Sequence, residues 1–218
     1  SNIATDFNRG TRNTYYLDLA RQAALKAIEG PYSLLDSYGS LFAYQTANNN
    51  SESLFQLQWL TGSTDAIGWG CNNAMQAFFA WSTMVGETNW GNATYASYDL
   101  VREYDPQDRI RRHNTICTVG EYYSELNSKN GGYTYNVTES GYDNKCNIKK
   151  HVIGKIDDNG QSYQQSSGVN TYMMRLAEVY LNLAEAILGN NASTTDETAL
   201  TYFNKVRVRA GMPELKSI

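Results

Sequence analysis

The feature that most constrains the fold is an apolar stripe of helical period in the last fifty residues. A first segment carries apolar residues at three- and four-residue spacing, at Leu176, Val179, Tyr180, Leu183, Ala184 and Ile187. A second segment repeats the spacing at Ala199, Phe203, Val206 and Ala210. Each segment therefore predicts an amphipathic helix that buries one face.

Capping residues set the expected ends of these two helices. Gly189 suits a left-handed C-terminal cap after the first helix. Thr194 and Glu197 fit a capping box that starts the second helix, and Gly211 with Pro213 ends it. Two amphipathic helices joined by a short loop predict an antiparallel helical hairpin over about residues 170–213.

The rest of the chain predicts shorter elements between irregular segments. The spacing of apolar residues predicts a helix over residues 14–29 and a short one over 98–103. Weaker alternation predicts a buried strand over 53–60 and a strand over 147–156. Residues 61–96 are rich in Gly, Asn, Trp, Thr and Ser, which indicates a long functional loop. The expected fold class is mainly α, with long irregular loops and a few short strands.

Composition excludes several classes of function. The net charge is −4 and no basic stripe occurs, so nucleic acid is not an expected partner. No apolar run approaches the roughly 20 residues of a membrane-spanning helix. The chain has 3 Cys, with no CxxC pair among them, and 2 His, which disfavours a zinc site. The cysteines could form one disulfide with one free thiol left over, or all three could be free thiols.

The polar aromatic segment gives the candidate ligand site. Sugars are bound by flat aromatic faces flanked by amides that bond hydroxyl groups. Residues of these two kinds alternate within the long loop and predict ligand contacts at Trp69, Asn72, Asn73, Trp81, Asn89, Trp90 and Tyr95. The competing structural interpretation is that Tyr and Asn merely fill loops and that Trp81, beside Phe78 and Phe79, belongs to the core.

No catalytic, cofactor or metal constellation is expected. A glycosidase needs two carboxylates flanking the scissile bond, and the sequence does not bring Asp65, Glu87 or Glu103 together. His113 and His151 lack a recognisable nucleophile partner. Residues 157–159 could bind calcium, but without the distant Glu of an EF-hand loop they read better as a turn.

Several segments resemble the SusD/RagB family. The stretch RLAEVYLNLAEA over residues 175–186 is similar to the helix RLAEVYLNYAEA of that family, and VRVRAGMP over 206–213 is similar to its VRxRAGLP. In the same order, NNSE over 49–52 resembles its NNSEvIf, and residues 99–109 resemble its LVxxYexxDpR. The predicted helix over residues 15–28, followed by Tyr32, resembles the A…vi…gyYsL unit that precedes these segments in the family. The resemblance covers nearly the whole chain.

The resemblance implies a SusD-like fold of tetratricopeptide-like helical hairpins decorated by loops. It implies a non-enzymatic, lipid-anchored protein on the extracellular face of the outer membrane of a Bacteroidetes-type bacterium. Such a protein captures glycans, or sometimes peptides, for import by a TonB-dependent SusC-like transporter. We expect residues 1–218 to be one such domain, as a fragment without the lipidated N-terminal part and the C-terminal tail. The alternatives are a glycoside hydrolase on a helical scaffold and a purely protein-binding scaffold.

Overall fold

The computed structural model describes residues 5–6, 10–60, 73–85, 94–136, 145–154, 158, 162–163 and 166–218. The chain divides into two compact units, which are described separately. The first contains Ser1–Asp36, Ser51–Phe55 and Tyr172–Ile218, and the second contains Ser37–Asn50 and Gln56–Thr171. Helices dominate the described residues, and this confirms the mainly α prediction.

The α-helices and the strands have the following bounds. The helices are α1 Thr14–Ile28, α2 Tyr44–Ala47, α3 Met75–Phe79, α4 Ser82–Val85, α5 Tyr98–Glu103, α6 Arg109–Thr115, α7 Leu176–Leu188 and α8 Glu197–Arg209. The strands are β1 Thr5–Asp6, β2 Thr11–Arg12, β3 Ser53–Leu57, β4 Tyr95–Ser97, β5 Tyr122–Tyr123, β6 Tyr133–Thr134, β7 Lys145–Asn147, β8 Ser162–Tyr163, β9 Ser166–Ser167 and β10 Thr171–Arg175. Short 3-10 turns lie at Gly39–Leu41 and Ser128–Asn130. The strands form two-stranded sheets, in which β1 pairs with β2, β3 with β10, β4 with β7, β5 with β6 and β8 with β9.

Three helices form the core of the first unit. The apolar stripe of α7 packs between α1 and α8. The buried set consists of Ala24, Leu176, Ala177, Val179, Tyr180, Leu183 and Val206. The predicted hairpin is thus confirmed as α7 and α8, since a stripe of this width can be removed from water only by packing against other helices.

The helix ends differ in detail from the predicted caps. Gly189 has the expected positive φ of 60°, but its ψ of −126° lies outside the left-handed helical region. Asp196, rather than Thr194, caps α8 by accepting a hydrogen bond from the Ala199 amide at 3.0 Å. The Thr194 hydroxyl instead accepts from the Asp196 amide at 3.1 Å. The capping-box prediction was therefore wrong by two residues.

Strand β3 forms where expected but is not buried throughout. The side chain of Phe55 is 60% exposed, and that of Leu57 is also exposed. Sequence alternation indicated a strand because side chains point to opposite faces. A single two-stranded ladder covers few of those faces, so the burial prediction for this strand was wrong.

Tyrosine side chains form the main core of the second unit together with apolar side chains. Tyr123 and Tyr135 are almost completely buried, together with Met84, Leu126 and Val152. Tyrosine can occupy a core when its hydroxyl finds a partner. Part of the high tyrosine content is therefore structural, while other tyrosines, including Tyr15, Tyr98 and Tyr122, are exposed.

Two of the three cysteines are buried free thiols. Cys117 and Cys146 both lie in the second unit, and Cys71 lies outside the described residues. Burial raises the pKa of the Cys117 thiol to about 12, so this thiol stays protonated at neutral pH. A protonated buried thiol is a poor nucleophile, which argues against a catalytic role for Cys117.

Candidate functional site

The candidate site predicted from the sequence falls partly outside the described residues. Trp69, Asn72, Asn89 and Trp90 lie there, and their role as ligand contacts stays a prediction. The structure describes the other three residues of the set, which are Asn73, Trp81 and Tyr95. All three belong to the second unit.

Asn73 holds the chain in place just before α3. It is 3% exposed, and its backbone exchanges two hydrogen bonds of 3.0 Å with Ser167. Its side-chain amide donates to the Val169 carbonyl at 2.9 Å, and its Oδ1 accepts from the Met75 amide at 2.9 Å. This amide is used inside the protein and fixes the start of α3, whereas its role toward a ligand stays a prediction.

Trp81 combines core packing with a buried polar atom that finds no partner among the described residues. The half-buried indole packs against the tyrosine-rich core of the second unit. Its Nε1 is removed from solvent and has no acceptor among the described residues. An unsatisfied buried donor costs on the order of 1–3 kcal/mol. The packing confirms that Trp81 is partly core, whereas its role as a ligand contact stays a prediction.

Tyr95 lies on β4 and is half-buried. In the β4–β7 ladder, Tyr95 is directly opposite Asn147. The Asn147 side chain is completely buried, and its Nδ2 donates to the Phe79 carbonyl at 2.7 Å. Since Phe79 ends α3 two residues before Trp81, one buried amide supports the backbone next to both Trp81 and Tyr95. Sequence reasoning missed Asn147, because only the folded chain brings position 147 beside position 79.

Tyr135 completes this support. Its hydroxyl donates to Asn147 Oδ1 at 2.8 Å and accepts from the Asn147 amide at 3.3 Å. Burial raises the pKa of Tyr135 to about 12, so the phenol remains a neutral donor at physiological pH. Buried polar groups of this kind fix one arrangement of the chain when all of them are paired.

Across the part of the chain that the structure describes, no group of three or more His, Cys, Asp and Glu side chains could hold a metal ion. Asp158 accepts hydrogen bonds from the amides of Asn127 at 2.9 Å and Ser128 at 2.7 Å. Residues 157 and 159 lie outside the description. No described helix is long and apolar enough to cross a bilayer.

Solved structures of known proteins share this fold. The fold matches solved glycan-binding and SusD-superfamily proteins of Bacteroides and related bacteria. A surface glycan-binding protein A from Bacteroides thetaiotaomicron, solved in complex with laminarihexaose, matches with a TM-score of 0.63 at 21% identity, over 93% of this chain and 45% of that one. At that identity the match shows the shared fold.

Relatives at about 40% identity and a family model place the chain in a protein family. The model of the SusD family matches residues 35–218, and the chain belongs to that family. A SusD-like protein of Bacteroides ovatus is 41% identical over 216 residues, which are 97% of this chain and 37% of that relative. A crystal structure with a xylogluco-oligosaccharide matches at 40% identity with a TM-score of 0.85, over 97% of this chain and 42% of that one. The chain thus spans about two fifths of the length of these relatives.

Proposed function

We propose that this chain is part of a cell-surface glycan-binding protein that captures oligosaccharides for import by a TonB-dependent SusC-like transporter. The observation that carries the proposal is the 40% identity, across 97% of the chain, to a protein crystallised with a xylogluco-oligosaccharide. The predicted contact residues are of the types that such a ligand requires. Aromatic rings stack on the C–H faces of sugar rings, and amides bond the hydroxyl groups.

The ligand contacts we propose are the seven residues predicted from the sequence. Trp69 and Trp90 would provide the stacking faces, and Asn72 and Asn89 would bond hydroxyl groups. Trp81, Tyr95 and Asn73 would complete the site from the scaffold side, and the unused Trp81 donor supports this assignment. Location at the outer face of the outer membrane, attachment by a lipid anchor and the transporter partner belong to the same proposal. They rest on membership of the SusD family.

Two carboxylates of the second unit, Glu121 and Glu125, favour binding without catalysis. A glycosidase acid must hold a proton near neutral pH, so its pKa is raised. Burial alone would raise the pKa of Glu121, but hydrogen bonds from His113, Arg112, Thr118 and Tyr123 outweigh it and lower the value to about 2. Burial also raises the pKa of Glu125, but the positive charge of Lys149 and hydrogen bonds to the carboxylate outweigh burial, so this pKa lies below its usual value. Both groups are ionised at neutral pH and unsuited to protonate a leaving group.

Calorimetric titration with a xylogluco-oligosaccharide and with laminarihexaose tests the binding proposal. We expect saturable binding of at least one glycan, and its loss in Trp69→Ala and in Trp90→Ala. Tyr15→Ala is the matched control, because it removes an exposed aromatic ring from the first unit. Binding that survives in both tryptophan variants would overturn the residue assignment.

Two further measurements separate the alternatives. Release of reducing ends from either glycan would contradict a purely binding role and favour the hydrolase. Co-purification of the tagged chain with an outer-membrane transporter tests the import role. Retained transporter association without glycan binding would favour a protein-binding scaffold.

A further inference from the structure

The second unit contains a polar cleft that includes none of the seven predicted contact residues among its described lining. Its volume is 390 Å³. One side is formed by the 3-10 turn Gly39–Leu41 and α2, and the other by the end of α6 and the chain that follows β7. We call it the Lys149 cleft. Its polar lining includes Ser37, Ser40, His113, Asn114, Glu125 and Lys149.

The base of the Lys149 cleft is a nearly buried ammonium group. The Lys149 side chain is 8% exposed, and its Nζ donates to the Val152 carbonyl at 2.9 Å and pairs with Glu125 Oε1 at 3.1 Å. An ammonium group has three hydrogens. Among the described residues these two oxygens are its acceptors, and Nζ also lies over the Tyr123 ring, 5.5 Å from the ring centroid. The third hydrogen therefore has no described oxygen or nitrogen acceptor and can turn to a ligand. The Glu125 carboxylate also keeps its second oxygen, Oε2.

The end of α6 adds two fixed polar groups. Asn114 donates through Nδ2 to the Ile110 carbonyl at 2.8 Å, which fixes the amide and leaves its oxygen without a donor among the described residues. Gly39 lies so close that a Cβ there would be 2.7 Å from this oxygen. His113 stacks on Tyr123 with ring centroids 4.5 Å apart. Its Nδ1 is 3.6 Å from Glu121 Oε2, and its Nε2 has no described partner.

The apolar side of the cleft is built from Phe42, Tyr44, Val152 and Ile153. Phe42, Val152 and Ile153 are buried, and Tyr44 is half-buried. Apolar surface beside convergent polar groups is the usual composition of a small-molecule site. A volume of 390 Å³ lies near the lower end of the roughly 300–1,000 Å³ range of such sites, so it suits one or two rings rather than a long chain.

The charges of the lining favour a neutral ligand that is rich in hydroxyl groups. Lys149 and Glu125 already neutralise each other, so an anion would face the carboxylate and a cation would face the ammonium. The Asp158 carboxylate is occupied by Asn127 and Ser128. A hydroxyl group both donates and accepts, so adjacent hydroxyls can bond the third ammonium hydrogen, Glu125 Oε2 and the serine hydroxyls together.

We propose that the Lys149 cleft is a second saccharide site, which holds a single sugar residue without contacts from Asn73, Trp81 or Tyr95. The hydroxyl groups of the sugar face Lys149, Glu125 and Asn114, and one C–H face lies against Tyr44. The apolar wall explains why a sugar fits better than a fully polar polyol. A protein with two separated sites can hold two points of one branched glycan and gains avidity from the linkage.

The two histidines of the chain allow a site-specific test. His113 lines the cleft, and His151 is buried outside its lining, so the imidazole ¹H–¹⁵N spectrum reports both environments separately. The 218-residue protein is titrated with d-xylose, d-glucose and d-galactose, and with glycine as a zwitterionic probe. We expect a saturable shift of the His113 resonances with at least one sugar and a smaller response from His151.

Blocking variants and a matched control complete the experiment. Ser37→Trp and Gln45→Trp each place a large side chain in the lining of the cleft, and both positions are exposed without a described hydrogen bond from the native side chain. Each should abolish the His113 shift. Gln107→Trp makes a comparable change at an exposed position outside the lining and should preserve it.

The possible outcomes either support or overturn the second site. A shift that persists in Trp69→Ala and Trp90→Ala, and disappears in a blocking variant, supports it independently of the main glycan site. No His113 shift with any of the three sugars overturns it, as does a shift that survives both blocking variants or disappears with the tryptophans. A response to glycine alone would replace the saccharide by a zwitterionic ligand.

Discussion

Arg209 and Glu52 are joined across 157 residues of chain by a 2.6 Å bond between Nη1 and Oε2. Arg175 Nη1 donates to Oε1 of the same carboxylate at 2.7 Å. The backbone amide of Leu35 donates to Oε2 at 3.0 Å. Glu52 is completely buried. A buried carboxylate requires such compensation, and here it comes from β10, α8 and the chain after α1. One side chain therefore fastens the three segments of the first unit.

The first prediction concerns the stability of this arrangement. Glu52→Gln removes the negative charge that the guanidinium groups of Arg175 and Arg209 face in a largely buried place. Breaking a buried pair in this way costs about 3–5 kcal/mol of unfolding free energy. Urea denaturation followed by circular dichroism measures it. Glu29→Gln is the matched control, because Glu29 and Lys26 form an exposed pair worth about 0–1 kcal/mol. A loss below about 1 kcal/mol for Glu52→Gln would contradict the prediction.

The second prediction is a pH dependence that originates at His151. Burial, with a smaller contribution from the charge of Lys150, lowers the pKa of His151 to about 4 from its usual 6.5. The unfolded chain therefore binds this proton more readily. Stability from neutral His151 is fully present above pH 6.5 and is lost as the pH falls towards 4, by up to about 3 kcal/mol.

His151→Asn tests this assignment. His151 has a φ of 67°, a conformation that asparagine tolerates better than most residues. We expect the variant to lack the His151 contribution to the fall in stability between pH 6.5 and 4, measured by urea titrations at several pH values. His113→Asn should keep that contribution. Parallel curves for His151→Asn and the native protein would exclude His151 as the source.

The third prediction concerns acid unfolding at lower pH. The pKa of Glu121 is about 2, because its four hydrogen-bond donors outweigh the effect of burial. The Arg112 guanidinium lies 2.7 Å from Oε1, and the Tyr123 hydroxyl donates to Oε2 at 2.9 Å. A depressed carboxyl pKa contributes stability above the unfolded value of 4.5, which is lost as the pH falls towards 2.

Glu121→Gln isolates this contribution from the other carboxyl groups. The difference in unfolding free energy between native protein and variant should be largest above pH 4.5, at up to about 3 kcal/mol, and should shrink towards pH 2. Asp99→Asn is the control, since Asp99 is an exposed residue with only a distant ion pair to Arg102. A difference that stays constant from pH 6 to pH 2 would show that the effect is not protonation of Glu121.

The first unit was largely predictable because its signals are local. The stripe of α7 recurs within thirteen residues, and α1 begins and ends within one residue of its predicted bounds. Charge pairing was less predictable. Arg175 and Glu178 have the three-residue spacing of a charge pair on a helix, yet Arg175 bonds Glu52, which lies 123 residues away. Sequence spacing reveals neighbours along a helix but not partners from distant segments.

The second unit was much less predictable, since its elements are held by contacts between distant positions. The predicted strand over 147–156 is only Lys145–Asn147, followed by an isolated bridge between Ile148 and Ile116. Strands of two or three residues carry too little alternation to be recognised. The buried asparagine beneath Trp81 and Tyr95 has no sequence signature, because asparagine is more common in turns.

The last prediction links that asparagine to ligand binding. Asn147→Ala removes the donor to the part-buried Phe79 carbonyl and the acceptor for the buried Tyr135 hydroxyl. Leaving two such groups unpaired should cost about 2–5 kcal/mol of unfolding free energy. Because β4 and the end of α3 lose a common support, glycan affinity should fall even under conditions in which the variant remains folded. Asn130→Ala is the matched control, since Asn130 is an exposed asparagine of the same unit. Native-like glycan affinity in folded Asn147→Ala, measured by calorimetry, would show that Trp81 and Tyr95 do not need this support to serve the ligand.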